Sequence, residues 1–327
     1  MILVTGGAGF IGSNIVARLV EAGREVVVVD RLGTDDKWRN LAKHPLRDLV
    51  KPEALFGLLA REAKAIEAIV HMGAISSTTE RDVDLIIENN LRLSIDLWEW
   101  CAIHKVRLIY ASSAATYGDG AEGFEDDGTS GALAKLKPLN PYGWSKHAFD
   151  RRVAGDVEAG RPRPPQWAGL KFFNVYGPNE YHKGTMKSVV AHMYPDIIAQ
   201  GRVSLFKSHH PDYADGGQLR DFVSVNDAAD IVLWLLAEEG VNGLFNVGTG
   251  KARSFADLAR ATFAALGREP EIHYRDMPES LRARYQYFTE AKMDRLRAAG
   301  YIKPPTALED GVADYVRHYL DTDDPYR

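Results

Sequence analysis

A short apolar strand that runs straight into three glycines limits what this chain can fold into more than any other feature. Met1-Ile2-Leu3-Val4-Thr5 leads into Gly6, Gly9 and Gly12, and an apolar helical pattern continues through Ile11, Ile15, Leu19 and Val20. Glycine allows a tight turn and lets the backbone approach a diphosphate, while free N–H groups at the helix N-terminus face its charge. Strand, glycine turn and helix in that order predict a dinucleotide-binding fold, with Gly6, Gly9, Phe10, Ile11 and Gly12 against the cofactor. A second strand, 26–29, ends at Asp30, about 20 residues beyond the glycines, where an acidic side chain reaches the adenosine ribose. Arg31 and Lys37 follow and are placed to reach a 2′-phosphate. Asp30 argues for NAD and the two cations for NADP. Ordinary solvated loop charges are a third reading of Arg31 and Lys37. The balance leans slightly to NADP, with NAD left open.

The alternation continues. Strands at 67–71, 106–110 and 170–173 are interleaved with a long helix over 84–104 and a helix that carries Tyr142. This predicts an α/β architecture, a doubly wound parallel sheet of the Rossmann type with helices on both faces. After Asn174 the pattern loosens into loops rich in Gly, Pro, His and Asp, although a strand at 244–247 is expected to rejoin the main sheet. Short helices are expected at about 254–266, 290–298 and 306–320. The expected organisation is an NADP-binding domain over 1–173, with returns near 220–247, and mostly a smaller α/β substrate-binding lobe over 174–327.

Composition narrows the function. A net charge of −5 with no basic tract argues against nucleic acid as a partner. Cys101 is the only cysteine and sits in an apolar helical pattern, so a buried thiol is expected, and neither an intrachain disulfide nor a cysteine-rich zinc site can form. The longest apolar run, 231–237, falls far short of the roughly 20 residues that span a bilayer. With a cofactor strand starting at residue 2, no signal peptide and a cytoplasmic location are expected, without a membrane partner.

The chemistry enters with Tyr142 and Lys146, four residues apart and therefore on one helix face. A lysine ammonium beside a phenol favours the phenolate, and an ionisable phenol is a usable base toward an alcohol. Proton removal from an alcohol accompanies hydride removal from its carbon, so the pair suggests oxidation or reduction at a carbinol. A lone Tyr-x-x-x-Lys is weak, and so is a lone serine at a turn. Ser113, at the end of the strand before this helix, gains weight because glycine turn, serine and tyrosine–lysine pair occur in one chain in the right order.

Together these residues resemble the extended short-chain dehydrogenase/reductase superfamily over nearly the whole chain. A narrower likeness, to the ADP-glycero-manno-heptose 6-epimerases, rests on Gly73-Ala74-Ile75-Ser76-Ser77-Thr78-Thr79-Glu80, residues 110–118, Phe173-Asn174-Val175-Tyr176-Gly177-Pro178, His182-Lys183-Gly184-Thr185-Met186 and Arg284-Tyr285-Gln286. The resemblance implies inversion of C6″ of ADP-D-glycero-β-D-manno-heptose through a transient 6″-ketone with bound NADP, supplying heptose for the lipopolysaccharide core. It further implies a homo-oligomer, a pentamer in some members. Lys183 would be a second acid–base group beside Tyr142, or else a phosphate or cofactor contact. Lys146 would also hold the nicotinamide ribose. Met72, Gly73, Ala74, Ile75, Ser76, Asn89, Val175 and Lys183 match family cofactor positions. Ser113, Asn174, Thr185, His192, Phe206, Lys207, Ser208, Arg220 and Tyr285 match substrate positions, and the planar guanidinium of Arg220 suits a diphosphate.

The loop 208–217 is longer than the shortest family versions. His209, His210, Asp212 and Asp215 are spaced too loosely to argue for a metal, and a lid, a subunit contact or a solvated loop fits them better. Two rival readings remain. A UDP-sugar 4-epimerase would share Ser113, Tyr142 and Lys146 without calling for Lys183. A silent NAD(P)-binding sensor would be expected to lose Tyr142 or Lys146. A dehydratase would show an acidic pair where Ala115 and Thr116 stand.

Overall fold

Runs of valine, isoleucine and leucine build the centre of the molecule. The computed structural model describes residues 1–282 and 285–327, so Arg284 lies outside the described residues. The first half supplies β1 (Ile2–Thr5), β2 (Val26–Val29), β3 (Asp48–Val50), β4 (Ala68–His71), β5 (Arg107–Ser113) and β6 (Trp167–Phe172). The second half supplies β7 (Asn174–Tyr176), β8 (Val203–Phe206), β9 (Leu219–Arg220), β10 (Phe222–Ser224), β11 (Gly243–Val247), β12 (Arg253–Ser254) and β13 (Ile272–Arg275). Seven of them form one parallel sheet in the order β11-β6-β5-β4-β1-β2-β3.

The two-residue period of the strands sorts their side chains into two cores. Ile2, Val4, Val26, Val28, Ala68 and Val70 face one side and are covered by the helices Phe10–Glu21 and Val225–Ala237, through residues such as Ile15, Leu19, Ile231 and Leu235. Leu3, Val27, Val29 and Ile69 face the other, under the helices Leu55–Glu62, Leu93–His104 and Pro141–Glu158. Cys101 belongs to that second core, as expected, and burial pushes its thiol pKa up. Trp98 fastens two of these helices together, because its indole donates to Asp156 Oδ2 at 3.1 Å.

Three features were not legible. β3 is short, mixed in character and largely exposed, so no apolar run announced it. The long helix expected over 84–104 is divided: Val83–Ile86 and Leu93–His104 are α-helical, while Ile87–Arg92 between them adopts wider π turns. Such turns occur often at functional sites. The loose region after Asn174 contains three small strand pairs: β7 with β10 and β8 with β13, both parallel, and β9 with β12, antiparallel. β11 does rejoin the large sheet, with Gly243 to Val247 beside Ala168 to Phe172. The later helices span Phe255–Ala265, Asp294–Ala298 and Leu308–Tyr315, the last continuing as π turns to Leu320. Among the described residues no helix is long and apolar enough to cross a membrane.

The strand order reverses between β1 and β4. Chain leaving β1 heads toward β2 and chain leaving β4 toward β5, so a crevice opens at their carboxyl ends. Gly12 sits at its floor, where a Cβ would fall 2.1 Å from Gly6 O. Gly12→Ala must therefore push the turn off the helix, at a cost of about 1–3 kcal/mol, read as a lowered midpoint in urea unfolding.

Candidate active site

The crevice is a cavity of about 470 Å³ lined from both halves of the chain. Every residue expected against a cofactor lines it: Gly6, Gly9, Phe10, Ile11, Gly12, Asp30, Arg31, Lys37, residues 72–76, Asn89, Lys146, Val175 and Lys183. Tyr142 and Ser113 line the same space. The glycine cradle is shaped for close backbone approach. Gly6 has φ +66°, and a Cβ there would lie 2.6 Å from Gly73 Cα. A dinucleotide therefore meets bare backbone at this turn and the uncapped N-terminus of the first helix, which is the fit a diphosphate requires.

Asp30 closes β2 with both carboxylate oxygens engaged. Oδ2 accepts from Ala8 N at 2.9 Å, and Oδ1 accepts from Lys37 Nζ at 2.6 Å and Arg31 N at 2.7 Å. Lys37 thus neutralises the acid it was weighed against. Arg31 instead turns outward to Glu53.

Behind the cavity lies a buried polar chain with defined proton positions. Ser94 donates to Asn90 O at 2.6 Å, so its hydroxyl oxygen is left to accept from His71 Nε2 at 2.9 Å. His71 Nδ1 then accepts from the Thr5 hydroxyl at 2.6 Å, and Thr5 accepts from Gly73 N at 3.2 Å. Burial first, and then the Lys146 charge, push the imidazole down to about 3, which keeps it neutral. Asn90, in the π segment, binds Ile75 through both N–H (2.8 Å) and C=O (3.0 Å) and donates to Ser145 Oγ at 3.1 Å. Its neighbour Asn89, the residue that the family pattern points to, back-bonds to Leu85 O at 2.8 Å, whereas Asn90 carries no motif of its own that a sequence could show.

Tyr142 stands in the first turn of its helix, which is capped by Asn140 accepting from Gly143 N at 2.8 Å. The expectation that Lys146 holds this phenol low is not met. Burial raises the Tyr142 pKa, and the hydrogen bond with Ser113 opposes only part of that shift. Burial likewise pushes Lys146 down to about 8, opposed by Asp150. Protein encloses Lys146 and surrounds much of the half-buried Tyr142, so desolvation penalises the charged form of each.

Asp150 lies one turn further along the same helix and is fully buried. It pairs with Lys171 Nζ at 2.8 Å and accepts from Ser112 Oγ at 2.7 Å, while Lys171 also donates to Thr116 Oγ1 at 2.7 Å. A single carboxylate therefore faces two buried lysines, Lys146 by charge and Lys171 by contact.

Lys183 arrives from the second half on the short helical segment Tyr181–Met186, with its Nζ 5.2 Å from the centre of the Phe10 ring. Burial lowers its pKa, opposed by Glu180. Three asparagines hold this segment against the glycine turn. Asn14 donates to Pro178 O at 3.0 Å, Asn40 to Ala8 O and Asn179 O at 2.9 and 3.1 Å, and Asn179 to Ser13 Oγ at 3.0 Å. None of the three stands out in the sequence. His182, which the sequence offers only as part of the motif around Lys183, lines the cavity with its pKa pushed down to about 4 by burial and the neighbouring lysines.

The remaining expected substrate residues lie outside this cavity: Asn174, Thr185, His192, Phe206, Lys207, Ser208, Arg220 and Tyr285. His192 Nε2 is 3.3 Å from Thr185 O, so it braces the Lys183 segment. Arg220 is 9% exposed, with its guanidinium 5.3 Å from the Tyr285 ring. Gln286 donates to Gly118 O at 3.0 Å and ties the Tyr285 segment to the loop that follows Ser113. In the loop 208–217, Asp215 accepts from Ser208 N at 2.7 Å and His209 Nε2 accepts from Met277 N at 3.3 Å, so both take part in closing the loop.

Residues 2–248 match the model of the NAD dependent epimerase/dehydratase family. A protein of Nitratidesulfovibrio vulgaris named ADP-L-glycero-D-manno-heptose-6-epimerase is 53% identical over the full length of both chains. A protein of the same name from Fusobacterium nucleatum is 48% identical, again over the full length of both. Among solved structures, the Helicobacter pylori ADP-L-glycero-D-manno-heptose-6-epimerase superposes with a TM-score of 0.77 at 28% identity, covering 97% of this chain and 95% of that one.

Lys171→Met would leave the Asp150 carboxylate buried without its contact cation and should destabilise the protein by about 3–5 kcal/mol. The double variant Lys171→Met/Asp150→Leu should recover part of that loss, because no buried charge is then orphaned. Urea unfolding of the cycle measures the coupling.

Proposed function

The chain belongs to the NAD dependent epimerase/dehydratase family, and we propose that it interconverts ADP-D-glycero-β-D-manno-heptose and its L-glycero epimer at C6″, with NADP as cofactor. On this reading it works in the cytoplasm and supplies the heptose of the lipopolysaccharide core. The observation that carries the proposal is that Tyr142 and Lys183, contributed by opposite halves of the chain, line one cavity with the glycine turn. The relatives that share its full length support the choice of substrate.

Epimerisation of a carbinol involves no net oxidation. The nicotinamide cofactor supplies a reversible hydride acceptor when bound. Gly6, Gly9 and Gly12 would offer bare backbone to its diphosphate, Asp30 and Lys37 would hold its adenosine ribose, and Lys146 would hold the nicotinamide ribose; all of them line the cavity. Ser113 holds the reacting oxygen and Tyr142 exchanges its proton. After the 6″-ketone turns in the site, its oxygen faces a different wall, and Lys183 exchanges the proton there. A desolvated lysine suits that role because its pKa is drawn toward neutrality. Asn174, Thr185, His192, Phe206, Lys207, Ser208 and Tyr285 hold the heptose and nucleotide, and Arg220 takes the diphosphate.

Purified protein should convert ADP-D-glycero-β-D-manno-heptose to a mixture of C6″ epimers, followed by NMR, without added cofactor. Failure after NADP⁺ and NAD⁺ are supplied would sink this reading in favour of another nucleotide-sugar epimerase. Tyr142→Phe and Lys183→Met should each slow turnover by about 10²–10⁴-fold while the protein keeps its cofactor absorbance. Lys37→Ala should weaken NADP by about tenfold or more, as expected for loss of one charge-assisted contact. It should leave NAD unchanged or improved, because Asp30 is then free for the ribose hydroxyls. Equal loss for both cofactors in a binding titration would overturn the NADP assignment.

A further inference from the structure

A row of rings runs outward from Arg220, and the reaction described above uses only its inner end. Tyr285 and Tyr287 lie 5.3 Å apart between ring centres. Beyond them Tyr213 stands 5.2 Å from Tyr287 at an interplanar angle of 36°, and His210 stands 5.1 Å from Tyr287. Tyr213 and His210 belong to the loop 208–217, which closes on itself through Ser208 N to Asp215 Oδ1 at 2.7 Å and Gly217 N to Ala214 O at 2.8 Å. His209 N donates to the Tyr287 hydroxyl at 3.1 Å, so the loop and the 285–288 segment form one surface.

Arg220 gives that surface a chemical direction. It is nine-tenths buried, it donates from Nη1 to its neighbour Leu219 O at 2.8 Å, and among the described residues no carboxylate forms an ion pair with it. Its guanidinium rests instead against the Tyr285 and Phe255 rings at 5.3 and 5.7 Å. A desolvated guanidinium without a counter-anion is set to receive one, and its planar fork of donors matches a diphosphate. Gln286 ties the inner end of the row to Gly118, near the reaction centre, while the His210 side chain at the outer end is exposed. A nucleoside diphosphate held at Arg220 with its sugar toward Tyr142 has its base on the outer side, over the rings.

We propose that Tyr213, Tyr287 and His210 form a stacking platform for the nucleobase of the nucleotide sugar, which the loop 208–217 completes. This rests on the nucleotide-sugar reading and adds what selects the base. Stacking scales with ring area, so the platform favours a purine over a pyrimidine.

The test uses protein saturated with nicotinamide cofactor, so that the dinucleotide cleft is filled, and measures binding of ADP, UDP and ribose 5-diphosphate by calorimetry. Wild type should bind ADP at least tenfold more tightly than ribose 5-diphosphate and more tightly than UDP. Tyr213→Leu and Tyr287→Leu keep apolar volume but remove the π face, and each should weaken ADP about tenfold while ribose 5-diphosphate binds as before. Tyr287→Phe should bind ADP like wild type, which separates stacking from the hydroxyl that receives His209 N. If the leucine variants bind ADP normally, or lose ADP and ribose 5-diphosphate in equal measure, the platform is refuted although epimerisation stands. If wild type binds none of the three, the nucleotide-sugar reading itself fails, and the platform with it.

Discussion

The contact on which the rest of the site depends is the approach of Gly6 to the backbone at the end of β4. A Cβ at Gly6 would sit 2.6 Å from both Gly73 Cα and Gly73 N. Two neighbouring parallel strands end at one level here, and their continuing chains separate to opposite sides. Only a residue without a side chain, free to take φ +66°, lets the turn fold down between them. The cavity floor and the free helix N-terminus above it follow from that one closeness.

The Lys183 segment is joined to this floor by hydrogen bonds from amide side chains. Asn14, Asn40 and Asn179 bind backbone carbonyls and a serine hydroxyl across the join, and Asn179 does so from a left-handed conformation at φ +72°. Amide side chains can donate and accept at once, so they fix the approach of one loop to another where apolar contact would allow sliding. The Lys183 segment is held from the other side by Glu180, whose buried carboxylate accepts from Ser188 Oγ at 2.6 Å and Tyr315 at 3.0 Å. Lys183 therefore enters the cavity from a segment braced on both flanks.

Asp150 is the carboxylate that opposes the desolvation of Lys146, and it is also in direct contact with Lys171. Burial pushes Lys146 down to about 8, and the charge of Asp150 offsets only part of that shift. The Tyr142 phenol is shifted upward by burial, and its hydrogen bond with Ser113 opposes part of that shift. Burial disfavours the charged form of both groups, raising the phenol and lowering the ammonium, so spacing alone does not make the pair a phenolate–ammonium couple.

The sequence by itself determined the parallel sheet, because buried strands and amphipathic helices have different periods, and the run from Ile2 to Gly12 can do little else. It also picked out residues that gather at one cavity from Gly6 to Lys183, because local spacing, glycine turns and a recognisable family pattern all survive as text. What it could not show were relations across distance. The Asn90 anchor depends on a π turn that no periodicity marks, and β3 is too short and too exposed to announce itself. The sign of the Tyr142 shift depends on how much protein surrounds the phenol, whereas i, i+4 spacing reports only that a lysine is near. The ring row beside Arg220 joins residues from 210 to 287 that no local pattern connects. Spacing along a chain encodes which face a residue occupies. Only the folded structure fixes its solvent, its partners and therefore its charge.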